Sequence, residues 1–252
     1  MSIRVHFILW TILYFGNVGF ARDAGTNYQE PICINRDWTF NYFPENDEPV
    51  FSAKHDFDDK KWAAVALPHT WSVYETTREL HPFILNPSEQ DDPYWWKGWG
   101  CYRKRMFLGA GLKEKKVFLE FDGVQKYARV YVNGKFVADH KGGFTSFSVD
   151  ISDHLNLNRE NLIVVMVSNQ RNDVYKIPPM TAGNWNLYGG IYRSVRLVLK
   201  NRVFIPFQGS ADHEGGSFIT TSNESYDSAN LSIKTFVKNE SAVSQKCTLE
   251  IS

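Results

Sequence analysis

The sequence predicts an all-β protein: a jelly-roll β-sandwich followed by a truncated immunoglobulin-like β-sandwich. Three observations lead to this fold class. Short β-favouring runs alternate with turn residues, and no segment shows a long helical period. Aromatic residues, which favour strands, make up 15% of the chain. Some runs alternate in polarity while another is apolar throughout, as expected of strands in two packed sheets.

Length and composition limit the function classes. The 252 residues can form one sizeable core and part of a second. Lys+Arg and Asp+Glu each number 28, so the formal net charge is zero and nothing draws the chain to nucleic acid or an anionic membrane. Hydrophobic residues at 43% and charged residues at 22% are globular proportions and exclude a disordered chain.

Residues 1–21 are predicted to be a secretory signal peptide. Arg4 gives a positive start, residues 5–20 are largely apolar, and Gly19 and Ala21 stand at the −3 and −1 positions of a cleavage site. A membrane anchor is the alternative, but the run is short for a bilayer span and contains polar residues. We therefore expect export to the periplasm or the medium, with no membrane span.

The jelly roll is predicted over residues 22–202. Its clearest local feature is a hairpin around Asn133-Gly134, because these residues tolerate the positive φ angles of a type I′ turn. Tyr127 to Val132 alternates in polarity before this turn, and Leu162 to Val167 is apolar throughout, as in a strand covered on both faces. The predicted strands are 117–121, 127–132, 135–139, 162–167 and 191–199.

Residues 203–252 are predicted to begin a second sandwich. Aromatic residues become rarer after about Lys200, and Leu231, Ile233 and Val237 lie on one alternating face. A further strand is predicted from Cys247, paired with the first as a hairpin. An immunoglobulin-like sandwich needs about seven strands and only about three fit here, so we expect an incomplete domain.

Two aromatic loops are the strongest binding candidates. Residues 93–99 contain three tryptophans bounded by Pro and Gly, and Trp95 among them is a candidate for stacking on a sugar ring. The alternative is that these rings pack the loop against the sandwich. Residues 177–190 form a second long loop, rich in Pro, Gly and Asn, that includes Trp185. It is too polar to be core.

The sequence offers no complete catalytic set. Glu120 and Asp122 would share one face of a strand, but Asp122-Gly123 is better explained as a strand end that enters a turn. The hydrolase, zinc-protease and phosphate-loop motifs G-x-S-x-G, H-E-x-x-H and G-x-x-x-x-G-K-[ST] are missing. We predict no catalytic residue, no metal ligand and no cofactor.

Three cysteines, Cys33, Cys101 and Cys247, are too few for a disulfide scaffold. A Cys33–Cys101 bridge and three unpaired buried thiols remain equal alternatives.

Seven phrases together resemble the N-terminal domain of family 2 glycoside hydrolases, the β-galactosidase, β-glucuronidase and β-mannosidase group. They occur in the family's order between residues 32 and 200. They are Asn35-Arg36-Asp37-Trp38-Thr39-Phe40, Leu67-Pro68-His69-Thr70-Trp71, Gly98-Trp99-Gly100-Cys101-Tyr102-Arg103, Phe121-Asp122-Gly123-Val124, Tyr131-Val132-Asn133-Gly134, His140-Lys141-Gly142-Gly143-Phe144 and Gly189-Gly190-Ile191-Tyr192-Arg193. Residues 178–190 look most like exported β-galactosidase-type members.

The resemblance implies a jelly roll, an immunoglobulin-like domain and then a (β/α)₈ barrel that holds both catalytic glutamates of a retaining mechanism. No residue here matches either glutamate. The implied substrate-binding residues are loop residues that reach the mouth of the barrel. They are Thr70, where many relatives carry a carboxamide or carboxylate, and Asn184, where many carry Asp.

Two functions follow. The chain is either the non-catalytic part of an exported β-galactosidase-like hydrolase or a free-standing carbohydrate-binding module. In both, the partner is a carbohydrate, a β-galactoside-type glycan. In the first, a second partner is the missing catalytic barrel of the same polypeptide.

Overall fold

A computed structural model of the chain describes residues 30–43, 48–71, 98–170, 189–209 and 215–249. This part of the chain is antiparallel β-structure with no α-helix, and so no helix in it could cross a membrane. Short 3₁₀ turns cover Val50–Ala53, Ala110–Leu112 and Ser152–His154. The strands are β1 (Ile32–Cys33), β2 (Trp38–Phe43), β3 (Ala63–Val65), β4 (Trp99–Leu108), β5 (Lys116–Phe121), β6 (Tyr127–Val132), β7 (Lys135–Lys141), β8 (Phe147–Asp150), β9 (Arg159–Ser168), β10 (Val195–Lys200), β11 (Val203–Phe204), β12 (Ser217–Ser222), β13 (Asn230–Thr235) and β14 (Lys238–Asn239).

Two sheets form the sandwich. One has six strands in the order β3-β2-β4-β9-β6-β7, and the other has four in the order β1-β10-β5-β8. Every neighbouring pair is antiparallel. β7 and β8 are therefore edge strands of opposite sheets. The predicted all-β class with a jelly-roll sandwich is confirmed.

The core lies between the two sheets. The inward side chains of β5 and β10 face those of β6 and β9 across it, and aromatic residues of β2 close one side.

The six-stranded sheet also has an apolar outer face, formed by Leu162, Val164 and Met166 of β9 with Tyr127, Tyr131, Trp99 and Cys101. Ala53 and Trp62 of segment 48–62 pack against this outer face. Because β9 is covered on both sides, its apolar run is continuous, as predicted.

The β6–β7 hairpin is confirmed. Asn133 and Gly134 have φ angles of 52° and 81°, the left-handed values that a type I′ turn needs. The Asn133 amide also donates to the His154 carbonyl at 2.8 Å and accepts from the Leu162 backbone N–H at 3.0 Å. This side chain therefore ties the turn to β9 and to the turn before it.

The segment after Lys200 differs from the prediction in its pairing. β13 pairs with β12 and β14 pairs with β11, so the predicted partnership with a strand from Cys247 is wrong. Residues 241–249 contain no strand. β12 was not predicted because its sequence, Ser-Phe-Ile-Thr-Thr-Ser, has no clean alternation. Leu231, Ile233 and Val237 are 45%, 39% and 46% exposed, so no opposing layer covers them within the described residues.

All three cysteines are free thiols, so the bridged alternative is wrong. Cys33 lies on β1 of the four-stranded sheet, whereas Cys101 lies on β4 of the six-stranded sheet, and that separation explains the result. The alternative of three buried thiols is also wrong, because Cys33 and Cys247 are exposed and only Cys101 is buried. It accepts a hydrogen bond from Ser52 Oγ at 3.2 Å, and burial raises the pKa of its thiol to about 12.

Candidate functional site

Two backbone segments from distant parts of the chain meet at one end of the sandwich. The His69 N–H donates to the Ile191 carbonyl at 2.8 Å, and the Trp71 N–H donates to the Gly189 carbonyl at 3.2 Å. Thr70 lies between these two bonds and is half-buried. The backbone of Thr70 is therefore held on both sides, which fixes where its hydroxyl can reach.

Two glycines make this close approach possible. At Gly190, with φ of 135°, a Cβ would lie 2.5 Å from the His69 carbonyl oxygen and 2.7 Å from the Tyr102 hydroxyl. At Gly189 a Cβ would lie 1.8 Å from the ring of Trp71. Any larger residue would therefore push the two segments apart.

The ring of Trp71 joins three parts of the chain. It is fully buried, and besides Gly189 it packs against Gly100, where a Cβ would come within 2.4 Å of the ring. Two residues before Gly100, the Gly98 N–H donates to Asn169 Oδ1 at 3.1 Å. The described residues that flank segments 72–97 and 171–188 thus lie side by side at this end of the sandwich.

His69 and Tyr102 form a hydrogen-bonded pair close to the backbone of Thr70. His69 Nδ1 lies 2.8 Å from the Tyr102 hydroxyl, and the ring centroids of His69 and Phe40 are 4.6 Å apart. Burial lowers the pKa of His69 to about 4 and raises that of Tyr102 above its usual range. Both side chains are therefore uncharged at neutral pH, and they act as a hydrogen-bonded support.

Of the four predicted binding residues, the structure describes one. Thr70 lies at the meeting of the two segments, whereas Trp95, Asn184 and Trp185 lie outside the described residues. The described residues that border the segments carrying those three residues lie close together, Gly189 against Trp71 and Gly98 against Asn169. The placement of Trp95, Asn184 and Trp185 stays a prediction.

Sequence reasoning did not single out three residues of this end. Tyr102 supports His69, and Gln125 forms a two-way backbone pair with Gly190, at 2.9 and 3.2 Å. Lys126 follows Gln125, is 8% exposed, and has its pKa lowered to about 8 by burial. Tyr102 lies within the motif of residues 98–103, and Gln125 directly follows the motif of residues 121–124. This position in the sequence could have drawn attention to both residues.

The carboxylates of Glu120 on β5 and of Asp122 just after it lie near basic side chains of β10. Asp122 receives two hydrogen bonds from Arg196, at 2.6 and 2.7 Å, and so forms a bidentate ion pair across the four-stranded sheet. Burial raises the pKa of Glu120, and the charges of Lys200 and Arg196 oppose this rise. Asp150 accepts from the Ser152 N–H at 3.0 Å, the turn-capping role that its position suggests.

The two antiparallel sheets place this chain in the class of jelly-roll β-sandwiches. Jelly-roll sandwiches are used by lectin domains, and loops gathered at one end of a rigid sandwich are typical binding surfaces. Residues 32–201 match the family model described as "Glycosyl hydrolases family 2, sugar binding domain". The chain belongs to glycoside hydrolase family 2.

Similar proteins agree with this membership. The chain is 30% identical over 222 residues to a β-glucuronidase of Formosa agariphila, covering 86% of this chain and 22% of the relative. It is 35% identical over 179 residues to a β-galactosidase of Thermoanaerobacter pseudethanolicus, covering 70% of this chain and 22% of the relative. A solved β-glucuronidase of Bacteroides uniformis shares 33% identity with a TM-score of 0.67, over 84% of this chain and 22% of that one. The chain therefore spans less than a quarter of the length of these relatives.

Proposed function

We propose that this chain is the non-catalytic, carbohydrate-binding N-terminal part of an exported β-galactosidase-like glycoside hydrolase. The glycosidic bond is then cut in a (β/α)₈ barrel elsewhere in the polypeptide, and the sandwich contributes side chains at the mouth of that barrel. The observation that carries the proposal is the meeting of Leu67–Trp71 with Gly189–Ile191 around Thr70.

Thr70 contributes a hydroxyl, which both donates and accepts hydrogen bonds and so suits a sugar hydroxyl. Its backbone is fixed by the bonds of His69 and Trp71 on either side, so little conformational freedom is lost when a ligand binds. Trp95 and Trp185 supply apolar ring faces, and Asn184 supplies an uncharged amide, in the same proposal.

The proposed glycan is a β-galactoside. Residues 178–190 resemble β-galactosidase-type members, and the 35% identical Thermoanaerobacter relative is a β-galactosidase. The Formosa and Bacteroides relatives are β-glucuronidases, so a β-glucuronide is the comparison substrate in every test. Export rests on residues 1–21, whose charge and apolar pattern is that of a signal peptide.

The first experiment reads the DNA that follows codon 252. A barrel-coding sequence, in frame or frameshifted, supports the hydrolase part. If no such sequence follows, the free-standing carbohydrate-binding module takes its place.

The second experiment tests Thr70 in the longer product. One neutral hydrogen bond is worth about 0.5–1.5 kcal/mol, so Thr70→Val should lower kcat/KM for an aryl β-galactoside by about 2- to 12-fold. Thr220→Val on the exposed strand β12 is the matched control and should leave kcat/KM unchanged. Equal kinetics for the Thr70 variant and the control would contradict the proposed role.

A further inference from the structure

The hydroxyl group of Tyr102 lies where three parts of the chain meet. Tyr102 belongs to β4 and is fully buried. Its oxygen lies 2.8 Å from His69 Nδ1 and receives a backbone hydrogen bond from Ile191. At Gly190 a Cβ would come within 2.7 Å of the same oxygen. One side-chain oxygen of β4 therefore contacts both segments that meet around Thr70.

These contacts assign the direction in which the phenol proton points. The Ile191 N–H can only donate, so the Tyr102 oxygen is its acceptor, and the Tyr102 O–H remains to be donated. Two acceptors lie within reach, His69 Nδ1 at 2.8 Å and the His69 carbonyl oxygen at 3.4 Å. The shorter distance lies in the normal range of a hydrogen bond from a hydroxyl, and the longer one exceeds it. The O–H is therefore donated to Nδ1.

This direction also fixes the tautomer of the His69 ring. A ring nitrogen that accepts a hydrogen bond carries no proton, so the proton of the uncharged ring is on Nε2. Among the described residues, the ring packs against Phe40 and Tyr102, and its hydrogen bond is the one at Nδ1. His69 is only partly buried. The Nε2–H group is therefore left as a donor one residue before Thr70.

Charge does not disturb this arrangement at neutral pH. Burial lowers the pKa of His69 to about 4, and the rings of Phe40 and Tyr102 that pack against it carry no charge. Burial also raises the pKa of Tyr102 above its usual range. The phenol proton and the proton on Nε2 are therefore both present throughout the neutral range.

We propose that Tyr102 is a positioning residue: its hydroxyl holds His69 in the Nε2–H tautomer and ties both segments to β4, which leaves Nε2–H as a fixed donor for a ligand. The ligand is the one of the proposed function, and the donor role rests on that function. The tautomer and the tie between the segments are properties of the free chain. They can be tested without any ligand, so a failure of the positioning role is distinguishable from a failure of the proposed function.

The first test is ¹⁵N NMR of the imidazole rings in the purified chain, with the His69 signals identified by their absence in His69→Gln. At pH 7 the parent should show one tautomer of His69, protonated at Nε2 and unprotonated at Nδ1. Tyr102→Phe should give a mixture of tautomers. It should also raise the pKa of His69 above about 4, because a hydrogen bond to the uncharged ring is lost.

Two results would overturn the positioning role. One is a parent ring that is protonated at Nδ1, a measurement that needs no folded variant of Tyr102. The other is an unchanged tautomer together with an unchanged pKa of His69 in Tyr102→Phe.

Tyr192→Phe is the matched control. The Tyr192 hydroxyl donates to the Gly143 carbonyl at 2.6 Å, so this variant also loses one tyrosine hydrogen bond but leaves the contacts of His69 in place. It should keep the tautomer and the pKa of the parent. If Tyr192→Phe changes both as much as Tyr102→Phe does, the effect is a general loss of packing and the positioning role is wrong.

Hydrogen exchange tests the tie between the two segments. The N–H groups of His69 and Trp71 donate to the carbonyls of Ile191 and Gly189. In Tyr102→Phe both should exchange about 2- to 12-fold faster, as expected for the loss of one hydrogen bond that holds the segments together. Unchanged exchange at both groups would contradict the tie.

The donor role is tested in the longer product of the proposed function. His69→Leu removes the Nε2–H group and should lower kcat/KM for an aryl β-galactoside by about 2- to 12-fold, whereas His69→Gln, whose amide can donate, should restore part of the loss. If Thr70→Val lowers kcat/KM and His69→Leu does not, the donor role is wrong and the proposed function stands. If neither variant lowers it, both are wrong, and the NMR result alone decides the positioning role.

Discussion

Two buried carboxylates fasten segment 48–62 to the six-stranded sheet: Glu48, which accepts hydrogen bonds from Arg129 and Tyr131 of β6, and Asp59. Asp59 accepts from Arg103 Nε at 2.8 Å, and from Arg105 at 2.8 and 3.0 Å. The Arg103 side chain is fully buried and also donates to the Lys54 carbonyl at 3.1 Å. Burial alone would raise the pKa of Asp59, but hydrogen bonds from Arg105 and Arg103, together with their charges, lower it to about 2.

Asp59→Asn should therefore be strongly destabilising. It leaves the Arg103 cation buried without its counter-charge, a change that costs about 3–5 kcal/mol in comparable buried pairs. Urea unfolding of the variant measures the loss directly. Asp56→Asn removes a carboxylate from an exposed position of the same segment and should lie within about 0.5 kcal/mol of the parent. Equal losses for the two variants would show that Asp59 does not hold the segment.

The same carboxylate gives a pH dependence with a defined sign. Because the folded-state pKa of Asp59 lies below its ordinary value of 3.8, its contribution to the free energy of unfolding is fully present above about pH 4. That contribution is lost as the pH falls from about 4 to about 2. The stability gap between parent and Asp59→Asn should narrow over this interval. A gap that stays constant would contradict the ion cluster.

At the scale of elements, the β6–β7 hairpin depends on its turn. Gly134→Val places a β-branched residue at a φ of 81°, which should lower the free energy of unfolding by about 1–3 kcal/mol. Gly109→Val is the control, because Gly109 has a φ of −76° and open space where a Cβ would stand. An unchanged denaturation midpoint for Gly134→Val, measured beside this control, would contradict the predicted backbone strain of a valine at position 134.

Several strands of this fold could be predicted from the sequence, whereas the buried ion cluster around Asp59 could not. β5, β6, β9 and β10 were predictable because their alternation or continuous apolarity records which faces are buried. The Asp59–Arg103–Arg105 cluster was not predictable, because it joins residues more than 40 positions apart that no local pattern connects. Thr70 was found through a sequence motif shared with a family. His69 and Tyr102 stand in motifs of the same family, but the hydrogen bond between their side chains is visible only in the three-dimensional structure.

At the scale of the whole molecule, the sandwich and the segment after Lys200 differ in burial. Phe118 packs on Phe204 with ring centroids 5.5 Å apart, and Lys116 pairs with Glu240 at 2.8 Å, so the later segment contacts the sandwich at these places. β12 is exposed throughout, and β13 is exposed at every position but its last. Part of the stabilisation that fully burying Leu231 and Ile233 could give, about 1.5–3 kcal/mol for each side chain, is therefore missing, since these residues stay 45% and 39% exposed.

Limited proteolysis should distinguish the exposed segment after Lys200 from the buried sandwich. We expect residues 203–252 to be mobile or self-associating, and residues 30–200 to form the stable unit, so a resistant core should end near Leu199 to Ile205. Mass spectrometry of the products locates the end, and size-exclusion chromatography detects association. A tail that resists protease as well as the sandwich does, in a demonstrated monomer, would make it a complete small fold instead.

We propose that this family 2 chain binds sugar and does not cut glycosidic bonds by itself. The most direct test is to incubate the purified chain with aryl β-galactosides, β-glucuronides and β-mannosides and to follow release of the aryl group. We expect no hydrolysis above background for any of the three, because no residue of this sequence matches either catalytic glutamate of the family. Turnover that is abolished by a substitution within this chain, such as Glu120→Gln, would contradict it.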